Sequence, residues 1–210
     1  MYVQEVWRYP VKSMRGERLE RARVEADGIA GDRLVHVARG QRVVTSRTHP
    51  RLLGLQGGLD AAGRPLVDGQ PWDSPAAAAA VQAAAGPAAR LVFEQSLQRF
   101  DVLPLLVATD GGIAALGEDG RRLRPNLVVG GVEGLAERDW PGRRLRIGEV
   151  VIGVDSLRQR CVMTTYHPDT LAQDLGVLRR IVRQLGGRLA LDCWVERPGE
   201  VAVGDPVVLD

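Results

Sequence analysis

The chain has 210 residues, 45% of them hydrophobic and 26% charged, which are the proportions of an ordinary folded protein. Those figures, with only two cysteines, exclude a disordered, collagen-like or disulfide-stapled chain. A formal net charge of +2 spread along the sequence, with 4% aromatics, argues against a nucleic-acid binder, which needs a basic stripe and stacking rings.

In chain order, the predicted elements are mostly strands. The first ten residues carry Glu5 and Arg8 and lack the apolar run of a signal peptide. No segment approaches the ~20 apolar residues of a membrane span. The expected location is therefore the reducing cytoplasm, with neither membrane nor nucleic acid as a partner. Short β-branched or alternating runs predict strands over 3–7, 19–26, 33–38 and 41–45, separated by glycine-containing turns. The Gly-, Pro- and Ala-rich stretch 59–89 reads as a boundary between two regions, 1–88 and 89–210. Within it a helix over 76–85 starts after Ser74-Pro75 and stops at Gly86-Pro87. A short helix over 109–116 has Thr109 or Asp110 as its cap, weakened by Gly111 and Gly112. Further strands are predicted over 126–130, 145–154, 161–165, 189–195 and 201–209. Between 161–165 and 189–195, Leu175, Leu178, Ile181, Val182 and Leu185 form an apolar stripe at helical spacing that Gly186-Gly187 ends. The fold class is mostly β with a few helices, closer to a barrel or sandwich than to a doubly wound sheet.

The 28 basic residues include a single lysine, Lys12, and the chain holds a single asparagine, Asn126. Abundant Ala, Gly and Arg resemble the mark of GC-rich codon pressure, under which these two stand out, although simple stragglers give the same count. Cys161 is flanked by Arg158 and Arg160, the surround in which a thiol serves as nucleophile or metal ligand. A strand-buried thiol beside solvated arginines is the plain alternative. Cys193 shares a strand face with Leu189, Leu191 and Val195 and reads as a small buried hydrophobe. His36, His49 and His167 show no zinc spacing, and nothing in the spacing supports a zinc site or a Cys–His hydrolase pair with Cys161. Pyridoxal phosphate is disfavoured because its Schiff base needs a lysine and only Lys12 exists.

The run Tyr9-Pro10-Val11-Lys12-Ser13-Met14-Arg15-Gly16 resembles the opening motif of MOSC proteins, named for the C-terminal domain of molybdenum cofactor sulfurase. The likeness continues through Gly31-Asp32-Arg33, Val44-Thr45-Ser46-Arg47 and Leu123-Arg124-Pro125-Asn126-Leu127. It resumes at Trp140 and Leu145-Arg146-Ile147-Gly148, then Arg160-Cys161-Val162-Met163-Thr164-Thr165, His167-Pro168-Asp169 and Val203-Gly204-Asp205-Pro206. The order of these blocks resembles that of the bacterial MOSC reductases and the mitochondrial amidoxime-reducing component.

The resemblance implies a MOSC-type β-barrel with an associated N-terminal β-barrel region and a pyranopterin dithiolene molybdenum cofactor between them. It makes Cys161 the metal ligand and catalytic centre. It assigns cofactor contacts to Lys12, Ser13, Arg33, Arg47, Thr109, Arg124 and Asn126. Arg15, Arg21, Arg23, Arg138, Arg143 and Arg144 are read as solvated surface charges. Gln159 stands where the family often has a serine, a difference beside the ligand rather than in it. The implied activity is reduction of N-hydroxylated small molecules. No ferredoxin extension follows Asp210, so a separate ferredoxin- or cytochrome-type electron donor is expected. The alternatives are a non-catalytic cofactor-binding or sulfur-carrier module, with a Cys161 persulfide loaded by a desulfurase, and a structural barrel with a degenerate site.

Overall fold

A computed structural model describes residues 1–210 and bears out the mostly β class, with seventeen strands against three α-helices. Strand β1 (Tyr2–Arg8) buries Val3 and Val6 and pairs with β2 (Glu17–Leu19). The single strand expected over 19–26 is broken at Glu20, whose carbonyl accepts from Val203 N at 2.9 Å. The chain then resumes as β3 (Arg21–Glu25) and pairs with β4 (Gly28–Ile29). Next come β5 (Val35–Arg39) and β6 (Arg42–Val44), a hairpin turning at Gly40.

The stretch expected to be a boundary is structured. Strands β7 (Gly57–Leu59), β8 (Pro65–Val67) and β9 (Gln70–Pro71) form a small antiparallel sheet, and α1 (Pro75–Ala85) follows. Its start lies where the sequence puts it. Ser74 Oγ accepts from Ala77 N at 3.2 Å, and Pro75 occupies the first turn, where no N–H is needed. Val67, Ala77, Val81 and Ala85 enter a core of 11 buried residues with Val11, Met14, Val35 and Val37. Gly63 and Gly69 serve the turns between these strands with φ values of 79° and 76°, so a composition that resembles a linker belongs to a folded sheet and helix. Strand β10 (Arg90–Phe93) pairs with β5, so this sheet runs past residue 88.

The rest of the chain supplies β11 (Leu105–Thr109), α2 (Asp110–Leu116) and β12 (Leu127–Gly130), then β13 (Arg144–Ile147) and β14 (Val150–Gln159). Helix α3 (Leu175–Leu185), β15 (Arg188–Arg197), β16 (Gly199–Ala202) and β17 (Val207–Leu209) complete it. The run expected over 145–154 is a hairpin turning at Gly148, which has a φ of 56°, and that over 201–209 divides at Gly204. An eight-stranded sheet has the order β17-β13-β14-β15-β11-β12-β1-β2, with β11 and β12 its parallel pair. Strand β16 crosses to β3. A core of 20 residues therefore joins Val3, Val6, Val24 and Ile29 to Leu127, Leu145, Ile152 and Leu191.

Two expectations fail for local reasons. Helix α3 buries Val177, Ile181 and Leu185, at four-residue steps, each worth about 1.5–3 kcal/mol when fully buried. Leu175 and Val182, counted in the expected stripe, are exposed. Residues 161–165 are not a strand: β14 ends at Gln159 and Val162–Thr165 forms a 3-10 turn opened by Cys161. Thr164 donates to the Cys161 carbonyl from both N (3.1 Å) and Oγ1 (2.8 Å), a local pairing that displaces the sheet ladder. No helix is long and apolar enough to cross a membrane.

Candidate functional site

The turn after β1, the 3-10 turn before Arg124 and the end of β14 converge on a cavity of about 570 Å³. Its walls carry eight cationic side chains and two carboxylates, Asp101 and Asp192. Cys161 opens into it, half-buried and free of any disulfide. Cys193 is wholly buried in the sheet, as expected, and burial pushes its thiol well above the usual range.

Three backbone positions show how the sequence aims this wall. Ser13, Arg33 and Arg124 have φ values of 72°, 54° and 58°, in the left-handed region that L-residues with a Cβ rarely occupy. Such conformations cost energy and persist where the surroundings over-determine them, often around functional sites. Arg124 ends the 3-10 turn Gly120–Leu123, and Pro125 after it prevents any continuation as helix. Its NH1 donates to the Met14 carbonyl at 2.7 Å and its guanidinium lies 4.3 Å from the Tyr9 ring centre. Ser13 Oγ is not free: it accepts from Ser46 N at 3.0 Å, tying the Lys12 turn to the Arg47 segment.

Lys12 Nζ donates to the Arg99 carbonyl at 2.9 Å and lies 2.8 Å from Asp101 Oδ1. Arg47 NH2 donates to Asp101 Oδ2 at 2.7 Å and also reaches the Cys161 side chain. Burial lowers the Arg47 pKa, but Asp101 and Cys161 outweigh it and the net shift is upward. For Asp101, burial acts to raise the carboxyl, and Lys12, Arg47 and Arg158 more than offset it, holding it below the usual carboxylate value. Arg158 bonds Asp192 at 2.9 Å.

Of the residues singled out by sequence, Lys12, Ser13, Arg33, Arg47, Arg124 and Cys161 meet in this cavity. Thr109 and Asn126 do not line it. Thr109 is buried as the cap of α2, its Oγ1 accepting from Gly112 N at 2.9 Å. Asn126 is fully buried and acts one step removed. Its Nδ2 donates to Asp32 Oδ2 at 3.1 Å, and that same carboxylate holds Arg33, while Asp32 Oδ1 accepts from Tyr9 N at 2.6 Å. Arg15, read as solvated, instead donates to the carbonyls of Pro168 and Asp169 at 3.1 and 2.8 Å. Sequence reasoning missed Asp32 as a positioning group and Asp101, Arg122 and Asp192 as cavity residues. Asp32 lies inside a matched block beside Arg33 and could have been found there; Asp101 belongs to no motif.

The His residues do not gather around Cys161, and no group of three or more His, Cys, Asp or Glu side chains is placed to hold a metal ion. A metal held here by Cys161 must therefore bring most of its own ligands, as a dithiolene-bound metal does. The wall suits an anionic group of that kind. Arg160 Nε is closed off from solvent with no hydrogen-bond partner, and burial pushes both Arg160 and Arg124 down to about 10, the penalty of cations lacking a counter-charge.

A mostly β fold with three buried cores thus carries a cation-lined cavity into which one free thiol opens. The family profile described as MOSC N-terminal beta barrel domain matches residues 1–101, and that described as MOSC domain matches residues 113–208. The chain belongs to the MOSC family. It is similar to the crystal structure of the YUAD protein from Bacillus subtilis, at 15% identity and a TM-score of 0.54, over 99% of this chain and 94% of that one. That likeness shows the fold. A weaker one, to YiiM from Geobacillus stearothermophilus, has 16% identity and a TM-score of 0.39 over 51% of this chain and 54% of that one. No curated protein matches the sequence.

Proposed function

We propose that this chain binds a molybdenum cofactor and reduces N-hydroxylated compounds, with Cys161 as the protein's ligand to the metal. The observation that carries the reading is a single free thiol opening into a cavity with eight cations and two carboxylates. When bound, the cofactor supplies a centre that accepts oxygen from an N–O bond and is restored by two electrons and two protons from a separate donor. The residues supply the rest. Lys12, Arg33, Arg47 and Arg124 offer charge-assisted hydrogen bonds to the cofactor. Arg47, between Asp101 and Cys161, fixes the approach to the thiol. Asn126 and Asp32 hold Arg33 in its unfavourable backbone conformation.

Metal analysis of protein made in cofactor-producing cells tests this directly. Wild type should carry molybdenum near one per chain and reduce a benzamidoxime-type substrate with a chemical donor, and Cys161→Ala should lose both. Molybdenum retained undiminished in Cys161→Ala removes the ligand assignment. Bound cofactor without turnover, with a persulfide on Cys161, turns the reading into the sulfur carrier.

A further inference from the structure

The cavity's cations differ sharply in what neutralises them. Five of the eight have a carboxylate within ion-pair distance: Lys12 and Arg47 share Asp101, Arg158 has Asp192 and Asp101, Arg33 has Asp32, and Arg122 has Glu118. Asp101 alone takes three of them, at 2.8, 2.7 and 3.8 Å. The other three cations are Arg124, Arg160 and Arg188, and Arg188 stands exposed at the rim. Arg124 and Arg160 each have one bond to a backbone carbonyl, Met14 and Leu123 respectively, and no carboxylate partner.

Asp101 does not sit where it does by chance of a loose loop. It follows Phe100, which packs against the guanidinium of Arg99 at 4.5 Å. Arg99 is buried and donates to the Asp32 carbonyl at 3.2 Å, to the Gln95 carbonyl at 2.5 Å and to Asp27 at 2.6 Å. The carboxylate is thus presented to the cavity from an anchored segment, two residues after Arg99, whose carbonyl receives Lys12.

We propose that Asp101 is the specificity-determining residue of this cavity: as resident counter-ion of Lys12, Arg47 and Arg158, it leaves Arg124 and Arg160 as the subsite that takes a phosphate-type dianion. A dianion at the Lys12 wall would face the Asp101 carboxylate, whereas at Arg124 and Arg160 it meets two guanidiniums whose only hydrogen bonds are to backbone carbonyls. Lys12 and Arg47, already neutralised and held in place, are left to donate to uncharged polar edges of a ligand. The proposal refines the cofactor reading but concerns only where an anion sits, so it is tested without metal.

Titration of the purified chain with inorganic phosphate, at fixed ionic strength and followed calorimetrically, reads the subsite. Arg160→Gln should weaken phosphate binding about ten-fold or more, with Arg160→Lys recovering part of it, while Arg158→Gln should change it less than about two-fold. Asp101→Asn, which frees three cations, should tighten binding about five-fold or open a second site. Equal weakening by Arg158→Gln and Arg160→Gln overturns the proposal, as does an Asp101→Asn chain that binds phosphate neither more tightly nor at a second site. Circular dichroism of each variant confirms that the fold is kept, and Arg160→Lys stands in if Arg160→Gln unfolds. Molybdenum content of Cys161→Ala reports on the cofactor reading separately.

Discussion

At the scale of single residues, Lys12 and Asn126 show two different ways in which a rare residue is required. Lys12 places one compact ammonium between a carbonyl and a carboxylate, with 12% of its side chain exposed. An arginine keeps the charge but brings a wide planar fork into a space already holding Arg47 and Arg158 around the same Asp101. Lys12→Arg should therefore cut molybdenum occupancy to less than about half while leaving the far-ultraviolet spectrum unchanged. Full occupancy in that variant would make the lone lysine a leftover of composition. Asn126 has no such direct part. Its amide uses both donor and acceptor within the protein, to Leu106 N, Trp7 O and Asp32, which no other side chain of that size does at once. The motif led to Lys12, Arg33, Arg124 and Cys161, whose side chains all line the cavity. It could not expose Asp101, whose role exists only because a segment outside every motif passes the cavity.

At the scale of elements, the clearest conflict between propensity and packing lies in α2. Its two glycines lower helix propensity by about 1 kcal/mol each relative to alanine. A Cβ on Gly111, however, would overlap the carbonyl oxygens of Val132 and Gly134, which are backbone and have nowhere to go. Asp110, beside it, accepts from Gly131 N and Val132 N at 2.7 and 3.0 Å, fixing that loop against the helix start. Packing wins. Gly111→Ala should lose about 2 kcal/mol or more rather than gain from propensity, read as a lower denaturant midpoint at unchanged slope. A gain in stability would mean that the loop at 132–134 yields. The same distinction explains which elements were legible. Helix α1 declares itself through Ser74, Pro75 and Gly86, which act locally. The turn at Val162–Thr165 is as β-branched as a strand, and its threonine bonds to neighbouring carbonyls leave no periodic trace.

At the scale of the whole molecule, the cavity is lined by both parts of the chain, so charge within it acts on how they hold together. Three of its eight cations, Arg124, Arg160 and Arg188, have no carboxylate partner and leave an excess of positive charge in that space. An anion that binds the folded chain relieves this and adds mass-action stability, about 2.7 kcal/mol at a hundred times its dissociation constant. Phosphate should therefore raise the thermal midpoint of the metal-free chain more than chloride does at equal ionic strength. Equal effects of the two salts would reduce the cavity to general screening.

The placement of β1 also has a consequence for how the molecule is made. Strand β1 lies inside the large sheet, and its neighbour β12 is about 120 residues further on, with Val6 opposite Leu127. Met1 and Val3 bond to Val207 and Asp205, almost at the other end. At ordinary translation speeds β12 follows roughly 6 to 25 seconds after β1. In that interval the core around β5, β8 and α1 is already available, since its members lie close in sequence. The strand that carries Lys12 to its place thus waits on β12, and the cation wall closes only after Arg124, Arg158 and Arg160 have been made.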